Sequence, residues 1–408
     1  MAEPPGPLLK AITLRGFLSF GYATKEFPLA PLNVVIGPNG SGKSNLVEAV
    51  SVLRAVPRDL PLPIRQGGRV QDWLWKCDPS SARAGPRVDP PSACIDLVFA
   101  EGRIAQFHTD PAVRYRLVFG VQGDSFVVLD ERLENEAKPK DKDKPYFYFG
   151  YENGRPMLNV RDGRRRELRR ETLDMTQSIL SQRRDPEEYP ELGRLADTLA
   201  RIRIYRRWQF GPDAAVREAC SPSVRADHLS ENLDNLPARL AVLKGKPLVK
   251  QRLLELIREL APGFSDFEVV PEGGALTLYL TEGNLSIPAR RVSDGTLRFL
   301  CLLAILVDPE PPPFIAIEEP ELGLHPDIHA QLAALLLEAS TRTQLIVTTH
   351  SDIMVDALTD TPETVVVCEK VGGSTRLERL DPEKLEPWLE KYRLGELWMR
   401  GEIGGTRW

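Results

Sequence analysis

Eight residues, GPNGSGKS from Gly37 to Ser44, constrain this chain more than any other stretch. They follow LNVVI (32–36), an apolar run that reads as a buried strand, and they lead into KSNLVEAVSVLR (43–54), which is apolar at helical spacing. Gly37, Gly40 and Gly42 let the backbone between strand and helix curl until its N–H groups converge, and the helix N-terminus adds its positive end. In this context the pattern GxxxxGK[ST] cradles a triphosphate: Lys43 reaches the β- and γ-phosphates and the Ser44 hydroxyl ligates Mg²⁺. Gly37, Pro38, Asn39, Gly40, Ser41, Gly42, Lys43, Ser44 and Asn45 are therefore the expected nucleotide contacts, with ATP and Mg²⁺ as ligands. The bland reading is a glycine-rich turn without ligand.

A second stretch, FIAIEEPELGLHP (314–326), runs four apolar residues into Glu318 and Glu319. Burying carboxylates at the end of a strand is costly unless a cation pairs with them. With a phosphate loop in the same chain, a bound Mg²⁺ is that cation: Glu318 holds the metal and Glu319 orients and activates the attacking water. Glu318 stands where an aspartate is usual, so the metal is gripped by a longer arm. Two exposed glutamates on a solvated strand end are the alternative.

Bulk properties exclude other classes. The chain has 408 residues, 42% hydrophobic and 27% charged, in the range of a soluble globular protein. No run approaches the roughly 18 apolar residues of a membrane span, and MAEPPGPLLK shows no secretory pattern, so a cytoplasmic location without membrane contact is expected. Five scattered cysteines, none in a CxxC pair, argue against a disulfide framework or zinc site. A net charge of −5 gives no global attraction to nucleic acid.

Strand patterns at 11–20, 93–100, 114–121 and 146–150 fill the first part of the chain, with the solvated loop ENEAKPKDKDKP before the last of them. From about 161 the pattern reads as helical and arginine-rich. Strands return at 267–271 and 275–281, followed by a helix at 296–307, the strand before Glu318, a helix at 327–339, and strands at 344–348 and 364–368. The expected divisions are 1–160, a β-rich half with the phosphate loop; 161–265, a helical insertion; and 266–408, the second half of one α/β core.

Two further stretches narrow the class. RVSDGTLRF (291–299) is a serine–x–glycine turn opening an apolar helix, and LIVTTHS (345–351) is a strand ending in His350. The order GPNGSGKSN, SDGT, EEPELGLHP, TTHS resembles the ATPase heads of the ABC superfamily, closest to the RecF/SMC/OLD-like branch and its stand-alone bacterial AAA_21-type ATPases. The resemblance covers nearly the whole chain. It implies a two-lobed α/β head with a mixed central sheet that dimerises head to tail around two ATP molecules. Ser293 and Gly295 would then reach the γ-phosphate on the partner's loop, and His350 would contact the γ-phosphate beside the catalytic Glu319 and Lys43. Leu322 to His325 would cross the dimer interface. The implied biology is DNA-linked, as RecF-like repair or as antiviral defence with a separately encoded nuclease of the TOPRIM kind. The chain departs from the pattern in two respects: Gln66 lies off the usual offset of the state-sensing glutamine, and no coiled-coil arms are present.

Other signals are weaker. His325 and His329 share a helix face but lack a third metal ligand. Residues 161–207 hold thirteen arginines and no lysine against nine acidic residues, with Tyr205 and Trp208 nearby; paired, solvated helix faces and a grip on nucleic acid both fit. The tail with Trp388, Trp398, Trp408 and Gly401, Gly404, Gly405 fits docking of a partner, but such a tail more often packs on its own core. Rival classes are an ATP-gated scaffold that does not hydrolyse, a transporter motor and a ring-forming AAA+ enzyme.

Overall fold

Residues 6–76, 91–104, 111–138, 143–152, 154–160, 165–169, 172–260 and 263–405 are described by the structure, a computed structural model. The chain forms two units. The first holds Gly6–Ile202, Glu363–Leu380 and the residues from Gly401; the second holds Arg203–Pro362 and Asp381–Arg400.

In the first unit, β1 (Leu9–Arg15), β2 (Phe27–Pro28), β4 (Ser92–Phe99), β5 (Val113–Gln122), β6 (Ser125–Asn135), β7 (Phe147–Glu152), β8 (Arg155–Asn159) and β9 (Arg165–Glu167) form one antiparallel sheet in the order β2-β1-β4-β5-β6-β7-β8-β9. Alternation builds it. Along β5, Val113, Tyr115, Leu117 and Phe119 are buried while the residues between them are partly exposed. Phe119 meets Phe17 edge-on at 6.3 Å and Phe126 at 5.3 Å, so aromatic packing ties β5 to β6 and to the turn after β1. By contrast β3 (Leu32–Ile36) is buried at every position and pairs in parallel with β16 (Val365–Val371), which carries β17 (Ser374–Arg379) as an antiparallel hairpin partner. Helices α1 (Lys43–Ala55), α2 (Leu62–Gln66), α3 (Val70–Trp73), α4 (Ile179–Gln182) and α5 (Pro190–Ala200) complete this unit.

The second unit has a parallel sheet of β10 (Arg203–Tyr205), β14 (Phe314–Glu318) and β15 (Gln344–Thr348), and an antiparallel one of β11 (Asp266–Glu272), β12 (Ala275–Glu282) and β13 (Leu285–Pro288). Its helices are α6 (Leu236–Lys244), α7 (Pro247–Leu260), α8 (Asp294–Leu306), α9 (His329–Ser340), α10 (Asp352–Asp356), α11 (Pro382–Leu389) and α12 (Leu394–Met399). Every residue of α8 from Leu297 to Leu306 is buried, and all but Arg298 are apolar, as expected of a helix packed on all sides.

Three differences from the sequence reading have physical causes. First, residues 161–265 are not one helical block: β9 extends the large sheet, β10 pairs in parallel with β14, and the units divide between Ile202 and Arg203. Strands of three residues are too short to show a period of two among arginines. Second, β6 was hidden because Asp130, Glu131, Arg132 and Glu134 lie within it. The buried Glu131 is satisfied by the Tyr115 hydroxyl (2.7 Å), the Ser178 hydroxyl (2.5 Å) and the Ile179 N–H (2.9 Å). Third, the solvated loop begins later than expected, since β6 runs to Asn135; residues 139–142 lie outside those described. In the tail, Leu394, Leu397 and Trp398 of α12 are buried and the Gly405 N–H donates to Glu369 Oε1 at 2.6 Å; Trp408 is outside the described residues.

Candidate functional site

The phosphate loop of the first unit is built by close approach. Gly37 and Gly42 have φ of +147° and +114°; a Cβ on Gly37 would lie 2.1 Å from the Cys368 carbonyl, and one on Gly42 2.2 Å from Thr375 Oγ1. Gly40, at φ +78°, faces open space on the exposed rim with Asn39. Two residues that the sequence reading did not single out hold the loop. Thr375 Oγ1 lies 2.6 Å from the Ser41 carbonyl and 2.6 Å from Ser19 Oγ, and Asn45 Nδ2 donates to Ser19 Oγ at 2.7 Å.

Lys43 is only 6% exposed and its ammonium donates to the carbonyls of Gly37 (2.7 Å) and Pro38 (3.1 Å), lying across its own loop. Ser44 is exposed at the first turn of α1, whose N-terminus has no side-chain cap and no acidic residue. A helix start left uncapped beside a glycine cradle fits an anion, and the Ser44 hydroxyl is free to serve a metal. Gln66 is exposed at the end of α2.

In the second unit the two glutamates end β14 as expected, but through a strained turn. Glu319 has φ +45°, a left-handed conformation that costs of order 1 kcal/mol or more for a residue with a side chain. The surroundings hold it there. Its N–H donates to the Thr348 carbonyl (3.0 Å), its carbonyl accepts from Arg298 Nη1 (3.2 Å), and the Trp208 indole donates to the Glu318 carbonyl (2.8 Å). Arg298, 6% exposed on α8, has its guanidinium carbon 5.0 Å from the Trp208 ring and 5.2 Å from Phe210. Burial pulls its pKa down from the usual arginine value. Tyr205 and Trp208, candidates for stacking bases, are engaged inside this unit instead: Tyr205 is buried with its hydroxyl on the Leu229 carbonyl at 2.7 Å, and Trp208 stacks on Phe210.

His350 Nε2 lies 3.7 Å from Glu319 Oε1, both side chains partly exposed. The backbone of His350 is set by Glu321, a third glutamate absent from the expected set. Glu321 is 7% exposed and its Oε1 accepts from the Thr349 hydroxyl (2.7 Å) and the His350 N–H (2.8 Å). Its only signal in the sequence was its place as a third carboxylate in EEPELGLHP.

Ser293 caps α8, its Oγ accepting from the Thr296 N–H at 3.2 Å, and its side chain is exposed. A Cβ on Gly295 would lie 3.1 Å from the Gly323 carbonyl, so this glycine lets α8 approach the loop after Glu319. Arg217, 8% exposed, latches the turn before α8: it donates to the carbonyls of Phe210 (2.8 Å), Ala289 (3.1 Å) and Val292 (2.7 Å) and pairs with Asp294. The two histidines with metal-like spacing have other partners. His325 caps the short turn 326–328, and His329 Nδ1 sits 2.8 Å from Ser351 Oγ.

Among the described residues no helix is long and apolar enough to cross a membrane. The profile of the AAA_21 family, described as "AAA domain, putative AbiEii toxin, Type IV TA system", matches residues 32–86 and 103–356. Chromosome partition protein Smc of Rhodopirellula baltica is 54% identical over 44 residues, 10% of this chain and 4% of that protein. Smc of Mycobacterium tuberculosis is 36% identical over 77 residues, 19% of this chain and 6% of that protein. These matches thus span only a small part of the curated relatives. An SMC head solved with the C-winged helix domain of ScpA aligns with a TM-score of 0.55 at 19% identity, covering 93% of this chain and all (100%) of that one. The Pyrococcus furiosus SMC head, bound to the C-terminal domain of ScpA, aligns with a TM-score of 0.56 at 18% identity, covering 94% and 99%. The likeness is one of fold, an α/β ATPase head of the expected type.

Proposed function

Because the chain belongs to the AAA_21 family and has the fold of an SMC ATPase head, we propose that it binds Mg-ATP, dimerises on it and hydrolyses it as a switch. In this reading the triphosphate lies on Gly37–Ser44, and Lys43 exchanges its bonds to the Gly37 and Pro38 carbonyls for phosphate oxygens. Bound Mg²⁺ supplies the charge that neutralises crowded phosphate oxygens, and Ser44 and Glu318 hold it. Glu319 accepts a hydrogen bond from the attacking water and takes up its proton. His350 donates from Nε2 toward the γ-phosphate, and Ser293 and Gly295 of a second copy close the other side.

The observation that carries this reading is the Glu319–His350 pair: a strained carboxylate and an imidazole 3.7 Å apart, each fixed from behind by buried groups. Strain kept at a polar, partly exposed position is commonest where geometry serves chemistry. The process served is DNA-linked, as RecF-like repair or antiviral defence, in the cytoplasm and with a separate effector such as a nuclease. Both solved SMC heads compared above carry a bound ScpA domain, a precedent for a separate partner on this fold.

Phosphate release and sedimentation of Glu319→Gln test the proposal. Loss of the base should lower turnover about 100-fold or more and trap an ATP-bound dimer. Wild-type protein that dimerises on ATP but releases no phosphate, with Glu319→Gln behaving no differently, is a scaffold, and hydrolysis is then ruled out.

A further inference from the structure

On the far side of the large sheet's order from β2, β9 is the terminal strand, and all three of its residues, Arg165, Arg166 and Glu167, are exposed. The chain leaving β9 and the turn after α4 enclose a cleft of about 570 Å³ with Arg166, Arg169, Arg183 and Arg184 in its wall, beside Thr172 and Tyr189. The neutralisation of these arginines is uneven. Arg166 pairs with Glu188 at 3.4 Å. Glu167 is drawn away by Arg155 at 3.5 Å, and Asp185 Oδ1 accepts the N–H groups of Glu187 and Glu188.

Arg169, Arg183 and Arg184 have no carboxylate partner among the described residues. Arg183 donates to the Gln182 carbonyl (3.1 Å) and the Thr172 hydroxyl (3.4 Å), and Arg184 to the carbonyls of Leu180 (3.3 Å) and Pro57. Carbonyls orient a guanidinium without cancelling its charge. Three guanidiniums without an ion pair in one concave, polar cleft make a cationic track rather than a point site, whereas Arg165, next along β9, is held by Glu152 at 3.5 Å.

We propose that this track holds the phosphate backbone of DNA. Guanidinium forks match phosphate oxygens in pairs, and the stretch uses arginine to the exclusion of lysine, the choice suited to directed rather than diffuse contact. A polyanion with a charge at every repeat uses all positions of a track, whereas a single small anion uses one. The base-stacking aromatics first considered with these arginines are engaged elsewhere, so the contact is with backbone and is sequence-independent. This site is distinct from the phosphate loop and shares with the functional reading only the expectation of a DNA partner.

The test is fluorescence anisotropy of a labelled DNA duplex across a salt series without nucleotide. Arg169, whose exposed side chain has no ion pair among the described residues, is changed to Glu; a second variant combines Arg169→Gln, Arg183→Gln and Arg184→Gln, with the three Lys replacements as rescue. We expect wild-type binding, weakening of about fivefold or more in Arg169→Glu, and a salt slope reduced by about 2 to 3 in the triple variant, with partial recovery by Lys. ATP binding to the loop should be unchanged in all of them. Absence of wild-type DNA binding, an unaltered affinity and slope in Arg169→Glu, or displacement of DNA by equimolar charge of pyrophosphate or polyglutamate would each overturn the assignment while leaving the ATPase reading untouched.

Discussion

Glu321 Oε1 accepts the backbone N–H of His350 at 2.8 Å, so a carboxylate from the turn after β14 fixes the histidine at the end of β15. Glu319 lies two residues before Glu321 and faces the ring of the same histidine. The distance between Glu319 and His350 is therefore set by one short turn.

Replacing Glu321 tests that arrangement. Glu321→Ala removes the acceptor of both Thr349 and His350, leaving two buried donors unmet. Single-turnover hydrolysis should slow about 10-fold or more while ATP affinity at the phosphate loop stays within about twofold, the pattern of a positioning residue. Glu321→Gln retains an acceptor oxygen and should recover most of the rate.

Gly42→Ala probes the cradle. An L residue at φ +114° is strained and its Cβ would press on Thr375 Oγ1 at 2.2 Å. Isothermal titration should show ATP affinity lowered by about 100-fold, with stability falling by about 1–3 kcal/mol.

Arg217→Met removes the buried cation that collects the carbonyls of Ala289 and Val292 and pairs with Asp294. Urea denaturation should report a loss of about 2–3 kcal/mol from the unsatisfied acceptors. ATP-dependent dimerisation should weaken further than nucleotide binding by the monomer, since the turn carrying Ser293 loses its latch.

A pH dependence should arise at Asp308, whose carboxylate is buried against Arg239 (2.6 Å) and His228 (3.2 Å). Burial pushes its pKa up, but the His228 hydrogen bond and the Arg239 charge outweigh that and hold it below the usual value of 3.8. The folded state then binds this proton less readily than the unfolded chain. Its stabilisation is complete well above pH 3.8 and is lost as pH falls through the depressed folded value. Asp308→Asn should flatten the acid limb of stability against pH, read by thermal melting. Asp308→Ala, which strands Arg239, should cost about 3–5 kcal/mol at neutral pH.

What the sequence made legible follows from range. LNVVI, GPNGSGKS and the helix after them lie within a few turns of one another, and their geometry is local. The strand end at Glu318, the cap at Ser293 and the strand before His350 were equally readable. The clamps were not. Thr375 and Ser19 meet across 356 positions, and Arg217 reaches Val292 across 75, so no spacing pattern announces either. Trp208 and Arg298 were visible as an aromatic and a cation, but their service to the backbone of Glu318 and Glu319 is a tertiary fact. β10 escaped because three residues carry no period.

The hydroxyl of Thr375 reaches the nucleotide loop from far along the chain, and this orders events during synthesis. A ribosome-bound chain that has exposed Gly37 to Ser44 already owns the complete motif, yet the group that pins Ser41 is still to be translated for another three hundred codons or more. The last bond that orders the loop therefore closes only after both ends of this long span have been made, well behind the motif it completes.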